Sequence, residues 1–395
     1  MKKNTVPIVF AGGGTGGHLF PGLAVAQRLA ATIPHLRITF CGVGKPFERR
    51  AVSHAGFDYM TLPARPLPNR AREAVAFVVE NLASYLAASR FLRDEHVAAV
   101  VGLGGYASVP MARAASRGRV PLVLLEQNAV PGKATRWLAR RAALVCTAFD
   151  ETGDLLRCRC PVRATGNPVR SGFLTVARRE RKELMEGQDP SPPSPPSPIP
   201  HPPSQLLVLG GSGGARSLNE NVPRALYKIR GQVAGWKIVH QSGEADLEAT
   251  RTLYAKFDLP ATVMPFLGDM PAALAATDLA VCRAGGTTLA ELAAMGVPAI
   301  LLPYPHAADD HQAANARAYA ARGGCITIDE RDVPGRLDDQ LADMLCFLLA
   351  NDGLRQRMAA AMCGLGRPRA ANDVAELIWS IASSRSHRPE LADVA

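Results

Sequence analysis

The sequence predicts an α/β protein made of two Rossmann-like domains facing across a cleft. Three observations carry that expectation. The order strand, glycine loop, helix, strand occurs twice, once near the start of the chain and again from about residue 205. Short apolar runs alternate with helix-like stretches through both halves. A proline-rich stretch, DPSPPSPPSPIPHPP at 189–203, separates them, and it lacks the donors and apolar side chains needed to enter a core. At 395 residues the chain is too long for one ordinary core, and 47% hydrophobic content with a mean hydropathy of +0.02 suits a folded, soluble chain.

Each element follows in order. The start, MKKNTVPIVF, carries lysines, but its apolar run feeds a glycine loop instead of a cleavage site, so it reads as a first strand and not a signal peptide. AGGGTGGHLFPG (11–22) follows, then a helix to about Thr32 and RITFCG as a second strand. AAVVGLGG, VPLVLLEQN and ALVCTAF continue the first half. The second half repeats the opening with SQLLVLGG, SGGARSLNENVPRALYKI and GWKIVHQSG, and continues with TVMPFL, LAVCRAGG and PAILLPY. The expected domains are 1–165 and 205–372 with an interdomain segment 166–204, and a last helix at about 373–384 is expected to pack back on the first domain.

Charge is distributed unevenly. Residues 1–188 carry a net +14 and residues 205–395 a net −3, which points the first half toward an anionic surface, nucleic acid or lipid headgroups; a merely basic, soluble surface is the alternative. The stretch 65–93 combines Arg65, Arg70 and Arg72 with Leu67, Val75, Phe77, Val78 and Val79, the composition of a basic interfacial helix; an ordinary core-facing helix is the alternative. No uninterrupted apolar run approaches the roughly 20 residues of a membrane-spanning helix. The eight cysteines are scattered through mostly apolar segments, as reduced cysteines of a cytoplasmic protein are, and the Cys158/Cys160 pair lacks the second Cys or His pair of a metal site.

The glycines at 12, 14 and 17 fit the dinucleotide fingerprint, but a nicotinamide site needs a carboxylate at the end of the second strand. That strand ends at Cys41 and Gly42, and the first acidic residue in the chain is Glu48. What remains is a loop whose backbone can approach an anion at a helix N-terminus, with Thr15 and His18 adding side-chain chemistry. GGSGGAR at 210–216 repeats the device with Ser212 as a hydroxyl donor. CRAGGTTLAEL supplies a third turn, in which Thr287 and Thr288 precede Glu291 by about one helical turn. Threonines at a helix start also serve as ordinary N-caps, so each loop alone leaves both readings open.

GGGTGGHLFPGLAVA, GLGGYASVP, LEQNAVPG, TGNPVR, LGGSGGARSLN, CRAGGTTLAEL and PYPHAADDHQAANA, in this order, resemble the MurG family across roughly residues 5–380. These bacterial enzymes have the two-domain GT-B glycosyltransferase fold. They transfer N-acetylglucosamine from UDP-GlcNAc to the C4 hydroxyl of the muramoyl sugar of lipid I, with inversion, giving lipid II. The resemblance implies that Thr15, Gly16 and Gly17 face the donor sugar, with Asn128 beside them, and that Arg170 and Ser212 contact the diphosphate. It implies that Leu267 meets the uracil through its backbone and that Gly286, Thr287, Thr288, Leu289 and Ala290 cap the phosphates. Glu291 would hold the ribose and Gln312 the GlcNAc hydroxyls. His18, Tyr106, Glu126, Asn219 and Asn315 also match motif positions, Glu126 without an assigned role. Gly213 stands where the family commonly has Gln, and the proline-rich segment is an insertion at the domain boundary, where length costs little.

Transfer with inversion needs a proton acceptor and stabilisation of departing UDP. There is no DxD pair, so no metal or other cofactor is expected, and the helix start at 286–288 with Arg170 would take that load. His18 is the candidate base, imidazole titrating near neutral pH; the alternative is that it only positions substrate or loop. The implied partners are UDP-GlcNAc, lipid I, an anionic membrane surface at the cytoplasmic face of the inner membrane, and other cell-wall synthesis proteins, with no nucleic acid. A non-hydrolysing UDP-GlcNAc epimerase and a non-enzymatic UDP-sugar-binding protein are the alternatives.

Overall fold

The structure is a computed structural model that describes residues 5–68, 70–176, 204–211 and 213–386. The proline-rich stretch 189–203 and Ser212 lie outside the described residues. The chain forms two compact units, Met1–Arg170 with Arg367–Ala395, and Ser171–Gly366. The segment 166–170 thus belongs to the first unit, and the chain returns to that unit at Arg367. At the junction, Gly166 packs so closely on Arg367 that a Cβ there would sit 2.4 Å from it.

The first unit is a seven-stranded parallel sheet in the order β3-β2-β1-β4-β5-β6-β7. Its strands are β1 (Val6–Ala11), β2 (Leu36–Gly42), β3 (Asp58–Thr61), β4 (Ala99–Gly102), β5 (Leu122–Glu126), β6 (Leu144–Thr147) and β7 (Val162–Ala164). Alternate residues of β1 feed two cores, Ile8 and Phe10 on one face and Val9 and Ala11 on the other. Helices α1 (Gly16–Thr32), α2 (Pro46–His54), α3 (Ala74–Asp94) and α4 (Val109–Arg117) connect the strands. The strand order reverses between β1 and β4, which puts a crevice at their C-terminal ends.

Residues 65–93 do not form one helix. Pro66 and Pro68 hold the chain extended, a single 3-10 turn follows at Ala71–Glu73, and α3 begins only at Ala74. Ser84, Ala88 and Leu92 face the core, whereas Val75, Val78, Val79, Leu82 and Leu86 are all more than half exposed. By length and composition alone Ala71–Asp94 is apolar enough to cross a membrane, because isolated polar residues interrupt its apolar run without lowering its average much.

The second unit is a six-stranded parallel sheet, β10-β9-β8-β11-β12-β13. It comprises β8 (Gln205–Leu209), β9 (Lys237–Gln241), β10 (Ala261–Met264), β11 (Leu279–Cys282), β12 (Ala299–Leu301) and β13 (Cys325–Thr327). Leu206 and Val208 pack with Leu218, Val222 and Leu226 of α5 (Arg216–Lys228) and with Leu341, Leu345 and Leu348 of the helix Leu337–Ala350. Here the order reverses between β8 and β11, and α6 (Gly286–Met295) and α7 (His311–Ala320) follow β11 and β12.

The last helix, α8 (Ala370–Ser386), packs on α1 in the first unit. Val374, Ala375, Ile378 and Ala382 enter the core that holds Ile8, Phe10 and Leu19. Full burial of Val374 and Ile378 stabilises that return by about 1.5–3 kcal/mol each.

Candidate active site

In the first unit the reversal point collects Thr15, Gly16, Gly17 and His18 after β1, Tyr106 after β4, and Glu126 and Asn128 at the end of β5. Thr15 is the N-cap of α1 but makes no side-chain cap; its Oγ1 lies 3.2 Å from His18 Nδ1 instead. The imidazole lies beside the Gly104–Gly105 backbone, where a Cβ on Gly104 would stand 3.0 Å from His18 Cδ2. Tyr106 opens a 3-10 turn whose Ser108 hydroxyl donates to the Gly105 carbonyl at 2.9 Å.

Glu126 is a brace within its own loop. Its Oε1 accepts from the Asn128 backbone N–H at 3.1 Å and from Asn128 Nδ2 at 3.2 Å, and its Oε2 accepts from the Gly132 N–H at 3.0 Å. The carboxylate is 5% exposed and orients Asn128. Arg170 belongs to the first unit, and its guanidinium lies 4.5 Å from the centre of the Phe20 ring on α1.

Two amides of the first glycine loop, ahead of the start of α1 at Gly16, bond within the protein. The Gly12 N–H donates to the Cys41 carbonyl at 2.9 Å and the Gly14 N–H to Glu48 Oε1 at 2.5 Å, so the protein itself occupies these amides.

In the second unit the reversal point collects the loop after β8 and the start of α6 after β11. The N-cap of α6 is Gly285, with no side-chain cap and no acidic residue in the first turn. Thr287 and Thr288 are therefore the second and third helical residues and not caps, and the helix start keeps its positive end toward the crevice. Leu289 is fully buried and Ala290 partly exposed. Glu291, 7% exposed, lies one turn further on. Asn315 holds this start in place by donating from Nδ2 to the Ala284 carbonyl at 3.0 Å. Gln312 accepts the Tyr304 N–H at 2.9 Å through Oε1, which orients its amide nitrogen as the remaining donor.

Asn219 is 2% exposed and fully engaged. Its Oδ1 pairs with His240 Nε2 at 3.0 Å, and its Nδ2 donates to the Ser242 carbonyl and to Asp246 Oδ2, each at 2.9 Å. Because Asn219 presents its oxygen, His240 carries its proton on Nε2 and accepts from the Tyr254 hydroxyl at Nδ1, 3.0 Å away. Burial pushes the His240 pKa down to about 3, which keeps it neutral. The same arrangement seats Ser242 against the second glycine loop. Gly214 has φ +75°, and a Cβ there would lie 2.1 Å from the Ser242 carbonyl oxygen. Gly213, by contrast, has nothing within 4 Å of a would-be Cβ, so packing does not require glycine at the position where the family commonly has Gln. Leu267 buries its side chain beyond β10 and leaves its backbone as the part able to meet a base.

Sequence reasoning passed over several residues that shape these sites. Arg283, after β11, forms a partly buried ion pair with Glu330 and donates to the Leu302 carbonyl at 3.1 Å, tying the β11 and β12 loops together. Gln127 is 3% exposed and leaves Oε1 without a hydrogen-bond partner, near the backbone of Gly104. Glu48 is the third. Its one sequence signal is its position three residues into α2, where a glutamate can accept the N-cap amide.

Comparison with known proteins agrees with this geometry. Residues 8–147 match the glycosyltransferase family 28 N-terminal domain, and residues 205–374 match the family 28 C-terminal domain. A UDP-N-acetylglucosamine–N-acetylmuramyl-(pentapeptide) pyrophosphoryl-undecaprenol N-acetylglucosamine transferase from Alkalilimnicola ehrlichii is 40% identical over 380 residues, covering 94% of this chain and 98% of the relative. A protein of the same name from Anaeromyxobacter is 36% identical over 386 residues, 97% of this chain and 95% of the relative. The crystal structure of Acinetobacter baumannii MurG superposes with a TM-score of 0.70 at 30% identity, over 95% of this chain and 99% of that one. A UDP-GlcNAc 2-epimerase from Neisseria meningitidis, at 12% identity and a TM-score of 0.64 over 95% and 100% of the two chains, shares the fold alone. With two parallel-sheet domains of GT-B type, each matched along its length, this chain belongs to glycosyltransferase family 28 and, within it, to the MurG family of N-acetylglucosamine transferases.

Proposed function

We propose that the chain transfers N-acetylglucosamine from UDP-GlcNAc to the C4 hydroxyl of the muramoyl sugar of lipid I, inverting the anomeric centre and giving lipid II. The observation that carries this reading is the uncapped start of α6 at the reversal point of the second sheet, with Glu291 one turn beyond it. That arrangement suits a nucleotide diphosphate on the helix amides and a ribose on the carboxylate. The acceptor oxygen attacks the anomeric carbon as the bond to UDP breaks, and His18 takes the hydroxyl proton. The α6 amides meet the charge that develops on the departing phosphate.

The acceptor is lipid-bound, and we assign the exposed face of α3 to the cytoplasmic surface of the membrane. Val75, Val78, Val79, Leu82 and Leu86 project from it, with Leu67 and the arginines at 65, 70 and 72 before it. The helix packs on α4, and a cavity of about 170 Å³ bounded by Arg113, Trp137, Arg140 and Arg141 adds positive charge and a half-exposed indole.

Labelled UDP-GlcNAc, incubated with and without a lipid I analogue in the presence of EDTA, tests the reaction. Label is expected in the lipid product only when acceptor is present, with EDTA changing turnover less than about twofold. His18→Ala is expected to lower kcat by about 100-fold or more with little change in UDP-GlcNAc affinity. Acceptor-independent conversion of the sugar nucleotide points to epimerase chemistry, and unchanged turnover removes His18 as the base.

A further inference from the structure

Glu48 is fully buried, and four donors from three segments converge on its carboxylate. Oε1 accepts the Gly14 N–H of the first glycine loop at 2.5 Å. Oε2 accepts the Gly44 N–H at 3.0 Å, the Lys45 N–H at 3.2 Å and the Tyr59 hydroxyl of β3 at 2.5 Å. Lys45 closes the circuit, donating from Nζ to the Gly14 carbonyl at 2.7 Å. Both backbone groups of Gly14 are thus held from the β2–α2 side, one residue before Thr15 and four before His18. The packing leaves no slack: Gly13 has φ +147°, and a Cβ there would meet Glu48 Oε1 at 2.9 Å.

We propose that Glu48 is a positioning residue for the transfer reaction, fixing the loop that carries Thr15 and His18; this rests on the transferase function assigned above. A carboxylate suits the task because all four partners are donors, and an ionised carboxyl accepts from every one of them. Glutamine keeps the shape but presents an NH2 group to at least one donor. Alanine strands three of them and leaves the Gly44 N–H with the Tyr59 hydroxyl oxygen, 2.9 Å away. Tyr59→Phe removes a single donor and leaves the loop contact to Gly14 in place.

The test uses full-length wild type, Glu48→Gln, Glu48→Ala and Tyr59→Phe, with kcat and both KM values measured on UDP-GlcNAc and a lipid I analogue. Thermal melting and the imidazole NMR resonances of His18 are followed in the same samples. Misplacing a catalytic group by about 1 Å costs on the order of 100-fold. Glu48→Ala is therefore expected to lose about that factor in kcat while the KM for UDP-GlcNAc stays within about twofold, with Glu48→Gln intermediate and Tyr59→Phe least affected. The His18 resonances are expected to move in both Glu48 variants. Unchanged kcat in a folded Glu48 variant overturns the proposal, as does a loss that only tracks the melted fraction or appears in the KM for UDP-GlcNAc. If Glu48→Ala does not fold, Glu48→Gln and Tyr59→Phe decide. If wild type transfers nothing, the assigned function fails, and His18 resonances unmoved by Glu48→Gln then reject the clamp separately.

Discussion

At Glu291 the fold holds a carboxylate, 7% exposed, one turn past a helix start that has no side-chain cap. Hydrogen bonds to a charged acceptor contribute about 1.5–3 kcal/mol, or about 10- to 100-fold in affinity. If Glu291 accepts the ribose hydroxyls, Glu291→Gln raises the KM for UDP-GlcNAc by about that factor with a smaller effect on kcat. The sharper readout is discrimination. Wild type is expected to reject a UDP-GlcNAc analogue lacking the ribose 2′ and 3′ hydroxyls, and the variant to treat both donors nearly alike. Equal discrimination by the two proteins removes Glu291 from the ribose. Glu126 is a second buried carboxylate carried over from the same family patterns. Glu126 spends both oxygens on Asn128 and Gly132.

Between elements, buried polar side chains decide how glycine loops are seated, and His240 is the most measurable of them. It bridges β9 to Asn219 on α5 and to Tyr254. Its folded pKa of about 3 lies below the ordinary 6.5, so as pH falls through about 6.5 the unfolded chain takes a proton that the native one refuses. Stability is therefore lost progressively from about pH 6.5 down toward 3. Between pH 7 and 5 this precedes any loss from Asp329 and Asp338, whose ion pairs with Arg331 and Lys228 hold their carboxyls below the usual 3.8. The melting temperature is expected to fall over that interval more steeply in wild type than in His240→Gln; parallel slopes contradict the assignment. Such braces were not legible in the sequence, because Asn219, His240 and Tyr254 meet only once β9 and α5 are packed. The central strands were legible, since a parallel strand covered on both faces is a continuous apolar run, as in LVLLE and QLLVL. The strands that escaped notice are β3, β7 and β13, with sequences DYMT, VRA and CIT. All three lie at sheet edges, where short and partly polar segments suffice. The glycine loops were legible as strand-to-helix turns, but not the internal carboxylate that fills the first of them.

Across the whole molecule, charge and exposed apolar surface point the same way. The first half of the chain carries +14 against −3 in the second, and α3 with its preceding segment places apolar side chains among that positive charge. Both terms favour an anionic bilayer but respond to different perturbations. Each Lys or Arg near such a surface contributes about 1 kcal/mol, and this falls away as the Debye length shrinks from about 10 Å at 0.1 M salt to 3 Å at 1 M. Insertion of Val78, Val79 and Leu82 contributes through buried area and resists salt. Vesicle sedimentation therefore separates them. Wild type is expected to bind anionic vesicles more tightly than zwitterionic ones and to lose most of that preference at 1 M salt. Val78→Asn with Leu82→Gln is expected to weaken binding by about tenfold or more at every salt concentration. Activity on a short-chain, soluble lipid I analogue should be unaffected by the double variant, because α3 joins β3 to β4 and contributes no residue to the reversal point. Binding indifferent to lipid charge, salt and both substitutions together takes the membrane away from this surface and leaves α3 as an ordinary half-packed helix.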